Sequence, residues 1–443
     1  MSIPDYFQLE GGDRMPRIGF GTWQAADDVL EKSVEAALEA GYRHFDTARA
    51  YENEAALGRA LNRWIKGDPE RRKQLFVVTK LPPGGNSPER AQEYFDASLR
   101  DLNLDYVDLY LIHTPFAFEH VPGDLHPKNP DGSMKVDHST NLLELWKILT
   151  RSYSNMSSTE SDYSAKWRDR FRKNKKTRND LFVMMYALAR KVKDKKSKFP
   201  IRKKKNNVVV LRVPKQFSNA SNSGTLSKTH NSEKLEKPLT IRDESSHEQI
   251  SYNCVSSRNK IWGPGETLLK LKESGRVRHV GVSNLNAEQL ARVCSVERPA
   301  CLQVEVHALC QQQPLLAAAN KLGVPIVAYS PLGSKALADA LAAKTGREYP
   351  DLLQLPTVTR IAQVHGRTPA QILLRFTLQR GLAAIPKSTN PTRIKQNISL
   401  WDFELSESEL SELAALDRGE DGRICDFAFF PGVEKHPEFP FKK

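Results

Sequence analysis

No two of the five cysteines in this sequence stand in a C-x-x-C spacing. Cys254, Cys294, Cys301, Cys310 and Cys425 are odd in number and scattered. That argues against a disulfide framework or a zinc site and for a reducing compartment. Long apolar runs are missing as well. "LFVMMYALA" (Leu181 to Ala189) is about half as long as a membrane-spanning helix must be. The start, "MSIPDYFQLEGGDRMPRIGF", lacks the basic-then-apolar order of a secretory signal. A cytoplasmic protein is therefore expected.

An excess of either sign of charge is also missing over most of the chain. The total is +13, yet residues 148–266 alone hold 27 Lys+Arg against 11 Asp+Glu, a net of +16, which leaves −3 for everything else. An argument from basicity to a polyanionic partner thus applies to that segment only.

Outside it, strand-like and helical patterns alternate. "RIGFGT" (Arg17 to Thr22), "HFDTA" (His44 to Ala48), "LFVVTK" (Leu75 to Lys80) and "YVDLYLIH" (Tyr106 to His113) come before it. "VRHVGVS" (Val277 to Ser283), "CLQVEVH" (Cys301 to His307), "PIVAYSP" (Pro325 to Pro331) and "LAAIPKS" (Leu382 to Ser388) come after. Eight short Val/Ile/Leu-rich strands with helices between them predict a parallel sheet covered by helices, closed as an α/β (β/α)₈ TIM barrel. The Gly-Gly in "FQLEGGDRMPRIGF" predicts a small hairpin at the barrel's base. Ser87 is expected to cap a helix that starts at Pro88.

The barrel is expected to be discontinuous, residues 1–147 and 267–443. "NLLELWK" begins the helix after strand four and "TLLKLKESG" ends it, with Gly275 at the stop position. Joined directly, Leu142, Leu145 and Trp146 run into Leu268, Leu269 and Leu271 as one apolar face. Between them, residues 148–266 are mostly polar, charged and without periodicity, the composition of a disordered segment. "DLFVMMYALARKV" and "NNVVVLRV" read as a short helix and a strand. Three origins are open for this stretch: translated non-coding sequence, a basic arm for nucleic acid or acidic membranes, or a nuclear import signal in "KKSKFPIRKKK".

In a (β/α)₈ barrel, polar groups at the C-terminal ends of strands are the catalytic candidates. Asp46, Tyr51, Lys80 and His113 stand there or just beyond. Singly, each has a plain structural reading: a cap, a loop tyrosine, a solvated lysine, a histidine bonded to backbone. Together they form a coherent acid. An ammonium beside a phenol favours phenolate and lowers its pKa, and a carboxylate behind the lysine keeps it charged. An imidazole would hold a carbonyl oxygen in line with the phenol.

The stretches "GYRHFDTARAYENEAALGRAL", "VVTKL", "LDYVDLYLIHTP", "GVSNLNAEQL", "QVEVH", "AYSPLGS" and "IPKSTNPTRIKQN", in this order, resemble the aldo-keto reductase family. The resemblance spans Asp5 to Phe441 apart from the basic segment. It implies a (β/α)₈ barrel that binds NADPH without a Rossmann domain, and "GFGTWQ" indeed lacks the third glycine of a dinucleotide fingerprint. It implies Tyr51 as proton donor, Lys80 as the residue that tunes it, Asp46 as the lysine's partner and His113 as the group orienting the carbonyl. Ser283, Asn284 and Gln303 are implied at the nicotinamide carboxamide, and Tyr329 against the nicotinamide ring. Ser330, Leu332 and Ser334 follow along the pyrophosphate. Lys387, Ser388, Arg393, Gln396 and Asn397 correspond to the 2′-phosphate and adenine site, with Gly21, Thr22, Trp23 and Asp46 also on the cofactor side. Two cations flanking a helix start at Pro391 suit a phosphate independently of any family.

The implied partner is a small carbonyl compound contacting Trp23, Tyr51, His113 and Thr114, and the implied state a monomer. The sequence departs from the family at Thr114, where a tryptophan is usual. Trp23, Phe116 and Phe118 are expected to supply the apolar walls instead. The aromatic, Pro-rich C-terminus "DFAFFPGVEKHPEFPF" resembles the family's substrate-covering loop. A reading of another class is a non-catalytic NADPH-binding scaffold whose basic arm holds a polyanion.

Overall fold

The computed structural model describes residues 5–150, 201–203, 209–211, 238–242, 249–253 and 275–441. The chain divides into two compact units, Met1–Ser152 with Leu268–Lys443, and Tyr153–Thr267.

The first unit is built on an eight-stranded parallel sheet. In chain order its strands are Phe20–Gly21, His44–Asp46, Phe76–Leu81, Val107–Ile112, Val277–Ser283, Leu302–Glu305, Ile326–Tyr329 and Ala383–Ala384. Each lies beside its sequence neighbour. A parallel bridge from Ile18 to Ala384 joins the first strand to the eighth, with Gly19 N–H on the Ala384 carbonyl at 2.9 Å. The sheet is thus an α/β barrel. Its third and fourth strands are buried at every residue, as two-sided coverage requires of strands this apolar.

The expected hairpin pairs Tyr6–Gln8 with Arg14–Pro16. Leu9 and Met15 from it pack with Phe76, Leu109, Cys301 and Val327. These lie at or near the starts of four barrel strands, so the hairpin plugs the end of the barrel opposite the candidate residues.

The helix over Pro88–Leu102 begins where Ser87 and Pro88 place it. The Ser87 hydroxyl does not accept a backbone N–H, however; it accepts Arg90 Nε at 2.9 Å. A nearby guanidinium is the stronger donor for that oxygen. The helix after strand four runs Leu142–Thr150, three residues beyond the break expected at Lys147. Leu142, Leu145, Trp146 and Leu149 are all buried on its inner side. Its expected continuation from Thr267 lies outside the described residues, as does the short helix expected at Asp180–Val192.

Among the described residues of the second unit there are two antiparallel pairs, Ile201–Lys203 with Val209–Leu211 and Pro238–Arg242 with Gln249–Asn253. The first of these includes the strand expected in "NNVVVLRV". The rest of that unit, with the expectation of disorder, lies outside the described residues.

Candidate active site

Three barrel strands and one short turn bring the four candidate residues to one rim. Asp46 ends the second strand, Lys80 lies one residue from the end of the third, and His113 follows the fourth. Tyr51 closes a 3-10 turn over Arg49–Tyr51 directly after the second strand. Lys80 is fully covered and Asp46 is 1% exposed, whereas Tyr51 and His113 are half-buried.

The lysine is the hub. Its Nζ donates to Asp46 Oδ1 at 2.6 Å and to the Thr47 carbonyl at 2.8 Å, and reaches Tyr51 Oη at 3.2 Å. Asp46 Oδ2 accepts Gln303 Nε2 at 2.7 Å, so both carboxylate oxygens are engaged. The Tyr51 and His113 rings meet edge to face with centroids 5.6 Å apart.

Burial pushes the Lys80 pKa down, but Asp46 and Tyr51 outweigh it and the ammonium is held above its ordinary range. Burial raises Tyr51, and the Lys80 ammonium offsets only part of this. The net direction is therefore opposite to the lowering expected from sequence. Desolvating a phenolate costs more here than one neighbouring ammonium, itself paired to Asp46, returns. Burial, and next the Lys80 charge, holds His113 well below the usual histidine range. The site at neutral pH contains a neutral phenol, an ammonium held by the Asp46 side chain, and a neutral imidazole.

A second set of polar groups extends around the rim. Ser283 Oγ donates to the Gln303 carbonyl at 2.8 Å. Asn284 donates to the His113 carbonyl at 2.8 Å and to Ser283 Oγ at 3.0 Å, and its Oδ1 accepts the Tyr329 hydroxyl at 2.8 Å. Gln303 Nε2 spends one of its two N–H groups on Asp46, which leaves the second N–H and the amide oxygen of that side chain for a ligand. Asn284, Ser330 and Ser334 all hold left-handed backbone, with φ of 60°, 48° and 37°. Such strain in non-glycine residues is a mark of functional loops.

Thr22 is buried and its Oγ1 donates to the Asp46 carbonyl at 3.1 Å. Gly21 runs so close to the eighth strand that a Cβ would lie 2.8 Å from the Ile385 carbonyl oxygen. Beyond that strand, the helix Pro391–Ile398 starts behind an Asn390 cap. Lys387 and Arg393 are exposed on either side of this start, Ser388 and Asn397 are buried, and Gln396 is half-buried. Among the described residues, neither Lys387 nor Arg393 has a carboxylate partner.

On the expected substrate side, Thr114, Phe116 and Phe118 are packed inward. Thr114 is buried, its hydroxyl donating to the Phe116 carbonyl at 3.0 Å. Phe116 and Phe118 are fully covered, because they pack against Phe427, Phe430 and Phe439 of the C-terminal segment. They carry that segment instead of forming open walls. Trp23 stays half-buried, packed against the cluster that holds Ile424.

The family model described as "Aldo/keto reductase family" matches residues 17–155 and 244–418. The chain belongs to the aldo/keto reductase family. The mouse aldo-keto reductase family 1 member A1 is 30% identical to it over 440 residues, covering 98% of this chain and 97% of that protein. An NAD(P)H-dependent D-xylose reductase of Candida tropicalis is 28% identical over 421 residues, 93% of this chain and 92% of its own. Among solved structures, the Schistosoma japonicum aldose reductase superposes with a TM-score of 0.63 at 25% identity, covering 99% of both chains. A Bombyx mori aldo-keto reductase in complex with NADP gives 0.62 at 25% identity over the full length of both. The stretch from 156 to 243, between the two matched parts of this aldo/keto reductase, holds most of the basic segment.

Sequence reasoning missed Glu305, His307 and Arg423, buried and charged or polar beside the rim. A glutamate and a histidine two apart at a strand's end were a visible signal.

Proposed function

We propose that this chain is an NADPH-dependent reductase of aldehydes and ketones, with Tyr51 as proton donor. The observation that carries this reading is the buried Lys80 bound at once to Asp46, Thr47 and Tyr51. When bound, the cofactor supplies the hydride, and this protein's residues manage the proton and the charge.

The carbonyl oxygen of a substrate must gain a proton as negative charge develops on it. Tyr51 keeps its proton at neutral pH because burial raises its pKa. Lys80, 3.2 Å away, stabilises the phenolate left when that proton goes. Asp46 balances the ammonium, so the site gains no net charge before reaction. His113 is neutral and offers an N–H to the same oxygen without competing as an acid. The four groups can run an alcohol backwards by the same path.

The cofactor site is supported by the chemistry of its donors. Ser283, Asn284 and Gln303 offer amide and hydroxyl groups of the kind a carboxamide needs, with the Tyr329 ring beside them. Lys387 and Arg393 suit the extra phosphate that distinguishes NADPH from NADH. The Candida tropicalis relative, an NAD(P)H-dependent reductase, and the Bombyx mori structure in complex with NADP support the same assignment. A small carbonyl partner, a monomer and a cytoplasmic location complete the proposal. Among the described residues, no helix is long and apolar enough to cross a membrane.

The test is a panel of carbonyl compounds with NADPH and NADH, followed by absorbance and by identification of the alcohol. Alcohol formed in step with NADPH loss, and much more slowly with NADH, is the expected result. NADPH binding without turnover across the panel would favour a non-catalytic scaffold instead.

A further inference from the structure

A buried acid two residues beyond Gln303 takes no part in the chemistry above. Glu305 ends the sixth barrel strand with its side chain fully covered. Its Oε1 accepts the backbone N–H of Ile424 at 2.9 Å, and its Oε2 that of Cys425 at 2.8 Å. His307 Nε2 lies 2.8 Å from the same Oε1. Burial alone pushes the Glu305 pKa up, but His307 and Arg423 outweigh it, so the group remains an anion.

Other contacts fasten the same piece of chain. Arg423 donates to both oxygens of Glu420 and to Gln312 Oε1, and Gln312 returns its amide to the Glu305 carbonyl. Gly422 passes the neighbouring loop so tightly that a Cβ would lie 1.7 Å from the Leu309 carbonyl oxygen. No other residue fits there.

What is held this way borders the reacting groups. Ile424 is buried in an apolar cluster with Leu337, Ala338 and Leu341, and Cys425 and Trp23 both pack against that cluster. From Phe427 onward the chain lies on Phe116 and Phe118. Two consecutive backbone N–H groups need two acceptors side by side, and an ionised carboxylate supplies them with charge assistance. An amide would turn a donor toward one of them.

We infer that Glu305 is a positioning residue of the substrate pocket, anchoring the root of the C-terminal segment so that residues 425–430 wall the space before Tyr51. This rests on the reductase reading for its kinetic consequence, though not for the anchor itself. Small aldehydes need little of that wall; aromatic aldehydes need it to be in place.

Glu305→Gln and Gly422→Ala test the inference by different routes, one by removing an acceptor and one by displacing the backbone. Two readouts apply to the full chain: hydrogen exchange of the Ile424 and Cys425 amides, and kinetics with glyceraldehyde and 4-nitrobenzaldehyde. In both variants exchange should quicken about tenfold or more, as expected for losing a charge-assisted hydrogen bond. KM for the aromatic aldehyde should rise about tenfold with kcat within about threefold, and glyceraldehyde kinetics should barely move. Unaltered exchange would overturn the anchor. Equal loss of kcat for both aldehydes at constant KM would overturn the positioning role, placing Glu305 in the chemistry. Lack of turnover by the unaltered protein would strike the reductase reading alone, and the exchange result would still decide the anchor.

Discussion

Replacing Lys80 by Met separates the electrostatics of the site from its packing. Methionine has nearly the same length and fills the same space, so the cost is that of the charge. In the native site Asp46 has two donors, Lys80 at 2.6 Å and Gln303 at 2.7 Å, and is 1% exposed. Lys80→Met leaves an unbalanced carboxylate with one donor in a covered position. Breaking a buried pair from one side costs about 3–5 kcal/mol. Asp46→Asn with Lys80→Met leaves no buried charge, so the double variant should be about 2 kcal/mol more stable than the sum of the two single effects, within the range contacting residues show. Guanidinium unfolding followed by tryptophan fluorescence measures this, with equal m-values confirming that midpoints compare stability. A single variant within about 1 kcal/mol of the parent, or strictly additive effects, would refute the reasoning.

Burial raises Tyr51 and depresses His113, so both groups hold their reactive forms across the neutral range. Carbonyl reduction should therefore stay flat through neutral pH and decline only above about 10, the ordinary phenol value; a kcat/KM profile falling from pH 8 would contradict this. His44 and His436 are buried with pKa values lowered chiefly by burial. The unfolded chain then takes up protons that the folded one refuses, so stability is full above about pH 6.5 and falls below it. The slope is about 1.4 kcal/mol per pH unit for each histidine until its folded pKa is reached, measurable by denaturation at pH 5 and 7. Neutralising both Lys387 and Arg393 with methionine should raise the NADPH dissociation constant about 100-fold and leave NADH nearly unchanged, as loss of charge-assisted phosphate contacts implies; titration by fluorescence quenching reads it. Deleting residues 153–267 should preserve the barrel's circular dichroism and its NADPH binding, since the first unit contains its own apolar core. Aggregation of the shortened chain would show that the segment contributes to folding.

The barrel was legible because parallel strands covered on both faces must be apolar along their length. All eight Val/Ile/Leu-rich runs became barrel strands, though trimmed: "LAAIPKS" pairs only at Ala383–Ala384. Helix starts were less legible than they needed to be. Asn286, Thr368 and Ser406 form capping boxes with Gln289, Gln371 and Glu409, a spacing written plainly in the sequence. Ser87, the cap that was expected, is drawn off by Arg90. At the site, the four candidate residues could be found from strand ends, and the structure brings them together. The sign of the Tyr51 shift could not, because it depends on how completely the phenol is desolvated. Nor could the fate of Phe116 and Phe118, whose partners stand some 300 residues later and meet them only in three dimensions.

Tyr51→Phe removes one hydroxyl and leaves the rest of the rim intact, which makes it the most direct probe of the account. NADPH affinity, measured by fluorescence, should be unchanged. Single-turnover reduction of a good carbonyl substrate should slow by about 10²–10⁴, the usual contribution of a positioned general acid. A variant that binds NADPH normally and reduces the substrate within about threefold of the parent rate would contradict Tyr51 as the source of the proton.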